Sequence, residues 1–225
     1  DTFAIPEDAT LTANVITNTN PNGADSDPDG DAITATLVGP APPGNFNLAS
    51  NGVVTYTPPN GFSGQVSFQY EVRDPAGLVS NVATVTINIA AVADVPTLIL
   101  PRAQGDEDTA IPLNITATSN DPDGSETLSV VISNVPVGAI LSINGTPLPV
   151  MSSYTLTPLQ ASQVRLTPPL NSDVDYTIAN GNALLVTAIA SEGGTTAQTS
   201  GMLEIIVNSV ADAPTLTLPA ALSGG

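Results

Sequence analysis

The sequence predicts an all-β protein built as two tandem Greek-key β-sandwich domains. Three observations carry that prediction. Apolar and polar residues alternate with period two in short runs along the whole chain, and turns rich in Pro, Gly and Asn separate the runs. One set of landmarks also occurs twice in the same order.

The landmarks set the frame. Glu7-Asp8 returns as Glu107-Asp108, each ahead of an apolar run, and Asp27-Pro28-Asp29-Gly30 returns as Asp121-Pro122-Asp123-Gly124. Thr57-Pro58-Pro59 returns as Thr167-Pro168-Pro169. Val92-Ala93-Asp94-Val95-Pro96-Thr97-Leu98 returns as Val210-Ala211-Asp212-Ala213-Pro214-Thr215-Leu216, with a single difference. The spacing between landmarks varies, so insertions fall in loops while the frame is kept. The expected division is a first repeat over 1–93, a short linker over 94–96 and a second repeat over 97–212. Residues 213–225 then read as the start of a following repeat or a tail.

In the first repeat, period-two strands are expected at 32–38, 52–57, 65–72 and 82–89. In the second they are expected at 128–135, 184–189 and 202–207. Val and Thr dominate these runs, as a pleated, half-buried surface favours. Residues 159–163 are the one candidate helical turn. Several short strands per repeat fit two antiparallel sheets packed face to face. Aromatic residues make up only 4% of the chain, so Val, Ile, Leu and Ala must fill the cores. Tyr56, Phe62, Phe68 and Tyr70 are expected to join them.

Charge excludes several classes of function. Twenty-one carboxylates face three cations, Arg73, Arg102 and Arg165, giving a formal net charge of −18. Such a chain cannot neutralise phosphates, so neither nucleic acid nor an anionic lipid surface is expected as a partner. No apolar run approaches the roughly 18 residues of a membrane helix, so direct membrane insertion is not expected. The absence of Cys and His removes disulfides, thiol chemistry, catalytic triads and the usual zinc and copper ligands. The absence of Lys removes Schiff-base chemistry. A carboxylate pair can hydrolyse glycosides, but it needs a cleft, and these acids fall in inter-strand loops. The chain is therefore read as a non-enzyme. For metal binding only oxygen remains, which suits calcium.

The acids are clustered. In Asp25-Ser26-Asp27-Pro28-Asp29-Gly30-Asp31, carboxylates alternate about a glycine that permits a tight bend, so several can converge on one ion. An EF-hand is excluded, because the twelfth position is Thr36 rather than Glu and the flanks read as strands. Asn120-Asp121-Pro122-Asp123-Gly124-Ser125-Glu126 keeps the same centre. A single Asp-Pro-Asp-Gly is equally a plain type I turn. Two copies at matching places, each with extra acids, favour Ca2+.

On these motifs each repeat resembles the cadherin-like, immunoglobulin-type sandwich repeats in the extender regions of giant RTX-type, type I secreted adhesins of Gram-negative bacteria. In the first repeat the resemblance rests on Pro6-Glu7-Asp8, the stretch from Ser26 to Asp31, Tyr56 to Gly64 and Phe68 to Gly77. In the second it rests on Asp106 to Ile111, Asp121 to Leu128 and Val210 to Pro214. It implies calcium shared by successive repeats. Glu7, Asp8 and linker Asp94 would meet Asp121, Asp123 and Glu126, with Glu192 supplied by the Ser191–Gly194 loop. Asp27, Asp29, Asp31 and Asp74 would serve a preceding repeat; Asp25, from the alternation of the same loop, is a further candidate metal ligand. Glu107, Asp108 and Asp212 would serve a following one.

Two departures stand out: the Asp-Arg-Glu triplet of true cadherins is missing, and the linker holds one acid. Fewer ions per junction, or a site within one domain, stay open. Asp173 and Asp175 either compensate or form an exposed turn. The implied function is a calcium-rigidified extender segment at the bacterial cell surface, serving cell adhesion or biofilm formation. Its partners would be adjacent repeats of the same chain through calcium, while other domains bind the host, biofilm or surface ligand. The alternative is a glycan- or protein-binding adhesion module with the same fold. The chain has no Trp to stack on a sugar.

Overall fold

Strand alternation becomes a layered core in the first 97 residues. The strands are β1 (Thr2–Pro6), β2 (Leu11–Asn14), β3 (Thr34–Val38), β4 (Asn45–Leu48), β5 (Val53–Thr57), β6 (Gly64–Arg73) and β7 (Ala83–Ala90). They form two sheets, ordered β1-β7-β6-β3 and β2-β5-β4. In β6, Val66, Phe68 and Tyr70 are buried while Gln65, Ser67 and Gln69 are exposed. Val85, Ile87 and Ile89 of β7 join them, and Leu11, Val54 and Tyr56 enter the same core from the other sheet. Phe46 of β4 meets Phe68 edge-on at 4.8 Å, so the sheets close on one another as a sandwich. Tyr56 and Tyr70 are buried with their hydroxyls satisfied: Tyr56 donates to Pro43 O at 2.8 Å, and Tyr70 lies 3.2 Å from Val15 O. Phe62 is half-buried against the same core.

The structure, a computed structural model, describes residues 1–19 and 23–214; the expected tail beyond 214 lies outside the described residues. The chain forms two compact units. The first comprises Asp1–Thr97 with the segments Thr118–Leu128 and Ile189–Thr199; the second comprises Leu98–Ala117, Ser129–Ala188 and the described residues from Ser200 onward.

The remaining elements are β8 (Thr97–Ile99), β9 (Ala103–Asp106), β10 (Ile111–Pro112), β11 (Thr116–Thr118), β12 (Thr127–Ser133), β13 (Ile140–Ile143), β14 (Thr146–Pro147) and β15 (Ser153–Leu156). After them come α1 (Pro158–Gln163), β16 (Val164–Thr167), β17 (Leu184–Glu192), β18 (Thr195–Leu203) and β19 (Ile205–Asn208). Their sheets run β15-β12-β17-β18 and β10-β16-β13-β14, with two-stranded sheets β11-β8 and β19-β9. Ile111, Leu113, Ile132, Leu141, Leu166 and Ile205 are among the fully buried side chains of the second unit. The helical turn is α1, started by a capping box: Gln160 N–H donates to Thr157 Oγ1 at 3.2 Å, and Thr157 N–H to Gln160 Oε1 at 2.9 Å.

Two expectations need correction. The sheets are not wholly antiparallel: β1 runs parallel to β7, with Thr2 opposite Thr86 and Pro6 opposite Ala90. Likewise β9 runs parallel to β19, with Ala103 opposite Ile205. As the edge strand, β1 tolerates Pro6. The run 202–207, read as one strand, breaks at Glu204. Its carbonyl accepts from Ala103 N–H at 2.9 Å and its carboxylate from Ile178 N–H at 3.0 Å, turning the chain from one sheet into the next. Among the described residues, no helix is long and apolar enough to cross a membrane.

Candidate metal centre

Glu7 follows directly on β1. Its N–H donates to Ala90 O at 3.0 Å, extending the β1–β7 ladder by one residue, and this turns its side chain inward. Oε1 accepts from Val92 N–H at 2.6 Å, the side chain is 2% exposed, and Oε2 is buried without a hydrogen-bond partner. Burial pushes the Glu7 carboxyl above its usual range; the Val92 bond opposes this, while the charges of Glu192, Asp8 and Asp123 add to it.

The Asp-Pro-Asp-Gly loop at 121–124 brings the second carboxylate. Asp121 organises it, accepting from Asp123 N–H at 3.1 Å, Ser125 N–H at 2.9 Å and Glu126 N–H at 3.3 Å. Burial acts to raise the Asp121 carboxyl, but the backbone bonds from Asp123 and Glu126, with the Ser125 hydroxyl at 3.1 Å, overbalance it and hold the group below its usual range. Asp123, left exposed, turns towards Glu7 and Glu192. The loop lies close on Gly61, where an added Cβ would stand 2.7 Å from Asp121 Oδ1.

Glu192 ends β17. Its Oε1 accepts from the Ser125 hydroxyl, and its Oε2 is buried with no partner. Gly193, at φ +54°, lets the following turn pass Ala91, which a Cβ would meet at 2.8 Å. Oxygens of Glu7, Asp123 and Glu192 thus lie within 4.8 Å of one another, wholly inside the first unit. They form the one such carboxylate trio among the described residues.

The other expected ligands are distributed around this trio or apart from it. Asp94 is half-buried; burial raises its carboxyl, and the charges of Asp8, Glu126 and Asp121 raise it further. Glu126 accepts from Asp94 N–H and from the Ser119 hydroxyl, so it clamps the linker backbone. Asp8 is exposed and acts on both Glu7 and Asp94 through its charge. In the 25–31 loop, Asp27 accepts from Asp29 N–H at 2.8 Å and Asp31 N–H at 3.4 Å, while Asp25 accepts from the Tyr70 hydroxyl at 2.7 Å. Asp74 accepts from Leu78 N–H at 2.7 Å and shares with Asp27 a shallow cleft of about 270 Å³. In the second unit, Glu107 accepts from Val210 N–H at 2.7 Å. The Asn171 amide nitrogen, oriented towards the carboxylates, donates to Asp108 at 3.3 Å and Asp212 at 3.0 Å. Asp173 is exposed, whereas Asp175 accepts from Val207 N–H at 2.9 Å and is structural.

Sequence reasoning passed over the polar groups that hold the backbone of residues 93–96. Ala93 N–H donates to Thr195 Oγ1 at 2.7 Å, Asn120 Nδ2 to Val95 O at 2.7 Å, and Thr199 Oγ1 to Pro96 O at 2.6 Å. Ser, Thr and Asn are too common in strands and turns of this chain for sequence to mark these.

The donor set fits a hard cation: all ligand atoms are oxygens, and two buried carboxylate oxygens lack partners. Among the described residues the ion pairs are Arg73–Glu71 at 2.8 Å and Arg102–Glu204 at 3.8 Å, so no side-chain cation neutralises the trio.

Comparison with known proteins gives three findings. Residues 1–91 match the sequence model of the bacterial cadherin-like domain. No curated protein matches the chain by sequence. Among solved structures, the chain is similar to the protocadherin gammaB7 EC3-6 cis-dimer structure, at 13% identity over 93% of this chain and 46% of that one, TM-score 0.47. It thus spans less than half of that protein. It is similar also to human protocadherin-24 EC1-2 (16% identity, 95% of each chain, TM-score 0.46) and mouse protocadherin-24 EC1-3 (17%, 92% and 68%, TM-score 0.42).

Proposed function

We propose that this chain is a calcium-rigidified structural segment of a bacterial cell-surface adhesin of the RTX type, exported to the cell exterior, which extends a binding domain located elsewhere in the protein. The repeats run over 1–93 and 97–212, joined by 94–96. The observation that carries the reading is the trio Glu7, Asp123 and Glu192, two of whose buried oxygens have no protein partner. An uncompensated buried carboxylate is costly, and a divalent cation supplies the missing charge. The match of residues 1–91 to the bacterial cadherin-like domain supports the same reading.

The chain's own residues prepare the site. Val92 N–H fixes the Glu7 carboxylate, the Asp121 turn presents Asp123, and the Ser125 hydroxyl steers Glu192. Glu126 and Thr195 hold the linker backbone next to them. A cation there joins three segments distant in sequence, so the linker loses its freedom to bend. Extracellular modules of this kind bind calcium at about 0.1–1 mM.

A glycan-binding role is the weaker reading, since every Phe and Tyr is buried or half-buried and none offers an exposed stacking face. Titration calorimetry with calcium tests the proposal. Saturable uptake should be abolished in Glu7→Gln and Glu192→Gln, and small-angle scattering should report a stiffer particle with calcium than with chelator. Absence of any uptake at millimolar calcium sinks the proposal.

A further inference from the structure

Just past β7, three consecutive backbone amides end on side chains. Val92 N–H donates to Glu7 Oε1 at 2.6 Å, Ala93 N–H to Thr195 Oγ1 at 2.7 Å, and Asp94 N–H to Glu126. Two of these acceptors are carboxylates. The third is a hydroxyl, which has a proton of its own to pass on. Thr195 passes it to the backbone carbonyl of Glu192 at 2.8 Å. One side chain thus connects Ala93 with a member of the carboxylate trio.

The turn between Glu192 and Thr195 makes that connection stiff. Glu192 ends β17, Thr195 begins β18, and only Gly193 and Gly194 lie between them. Both glycines have positive φ, +54° and +84°, as a two-residue type I′ hairpin requires. A chain turned this tightly has little slack, so Glu192 and Thr195 move as one body. The turn also lies on Ala91: a Cβ at Gly193 would stand 2.8 Å from both the Ala91 Cβ and its carbonyl oxygen. All these groups belong to the first unit.

Resting on the cation site proposed above, we infer that Thr195 is a positioning residue for it, coupling the Glu192 carboxylate to the backbone that leaves β7. A cation that draws Glu192 towards Glu7 and Asp123 brings the hairpin tip with it. The Thr195 hydroxyl is thereby held on Ala93 N–H. Binding linkage runs in both directions, so seating Ala93 on Thr195 equally holds Glu192 ready for the ion. Thr195 itself stays off the ion. Groups that orient a ligand without touching the metal change its affinity by about tenfold or more.

Titration calorimetry and amide exchange by NMR on the full 225-residue chain test this coupling. Thr195→Val removes the hydroxyl but keeps a β-branched side chain at an exposed strand position, so the strand is preserved. Thr195→Ser keeps the hydroxyl. Thr195→Val should weaken calcium binding by about tenfold, and Thr195→Ser should bind as the parent does. In the parent, the Ala93 amide should exchange more slowly with calcium than with chelator. In Thr195→Val that slowing should vanish, while the amides of β6 and β7 keep their protection. Parent-like binding by Thr195→Val, weak binding by Thr195→Ser, or an Ala93 amide that still slows with calcium in Thr195→Val overturns the coupling and leaves the cation site standing. Lost protection in β6 and β7 of Thr195→Val overturns it too, making the hydroxyl a support of the fold. A parent chain that takes up no calcium overturns the coupling and the site together.

Discussion

Glu7 and Glu107 open the same Glu-Asp landmark, one in each unit, and begin alike. Each continues the edge strand into the parallel ladder, Glu7 N–H to Ala90 O at 3.0 Å and Glu107 N–H to Asn208 O at 2.9 Å. Each turns its carboxylate inward to a backbone amide two residues past the last strand, Val92 at 2.6 Å and Val210 at 2.7 Å. Both are buried. They differ in what comes up to them. Asp123 and Glu192 approach Glu7 beside Gly61, whereas in the second unit Asn171, at the position matching Gly61 after the Thr-Pro-Pro landmark, bridges Asp108 and Asp212. The buried glutamate thus recurs in both units, holding the backbone just past β7 in one and β19 in the other. The carboxylate trio is a product of the loops that join it.

The largest expected effect comes from closing the gap at Gly61. Gly61→Val places a β-branched side chain at φ +66°, with its Cβ 2.7 Å from Asp121 Oδ1 and from a Pro122 ring carbon. Urea unfolding should register a loss of roughly 3 kcal/mol or more, since backbone strain and displacement of the loop add. A loss within about 0.5 kcal/mol of zero would show that the loop does not depend on this approach.

Next in size is calcium itself. With the ion about 100-fold above its dissociation constant, linkage gives about 2.7 kcal/mol per site. The calcium-dependent rise in melting temperature should disappear in Glu7→Gln and survive in Glu107→Gln. An equal response in the two variants would mean that the trio is not the site that takes the ion.

Asn171→Gly should cost less, about 1 kcal/mol, for the loss of its bridging amide. The positive φ of 55° at this position suits glycine without strain, so the backbone term is small. Its calcium response should match the parent. A larger loss would place the Asn171 bridge among the main supports of the second unit.

The smallest expected effect is a pH trend in chelator. Glu7 and Asp94 hold their protons more tightly folded than unfolded, because burial and neighbouring charges raise both. The stability they contribute is present below their ordinary values of 4.5 and 3.8 and is lost as pH rises through the raised folded values. Asp121 acts oppositely: its contribution is present above 3.8 and is lost as pH falls through its lowered folded value. Differential scanning calorimetry across mildly acidic pH should show the melting temperature falling as pH rises, with a shallower fall in Glu7→Gln. An identical slope in that variant would remove Glu7 as its source.

Much of the fold was legible because a half-buried strand must alternate. The runs at 52–57, 65–72 and 82–89 correspond to β5, β6 and β7 within a residue or two. The break at Glu204 was not legible, because Leu203 and Ile205 keep the alternation while the strand changes partners. Nor was the use of Asp25, whose acceptance from the Tyr70 hydroxyl depends on a strand 45 residues away. The loops 25–31 and 120–126 read alike as sequence. In the structure, only the second contributes to a close carboxylate trio among the described residues.

By itself the sequence determined the β architecture, the doubled landmarks and the chemistry open to the chain. Periodicity, turn residues and the absence of Cys, His and Lys are local or compositional facts. The tertiary structure decided which acids meet, which are taken up by backbone amides, and which polar side chains hold the linker. Those outcomes turn on distances of a few ångströms between segments up to about a hundred residues apart, such as Glu7 and Val92 or Ala93 and Thr195, and only the packed fold sets such distances.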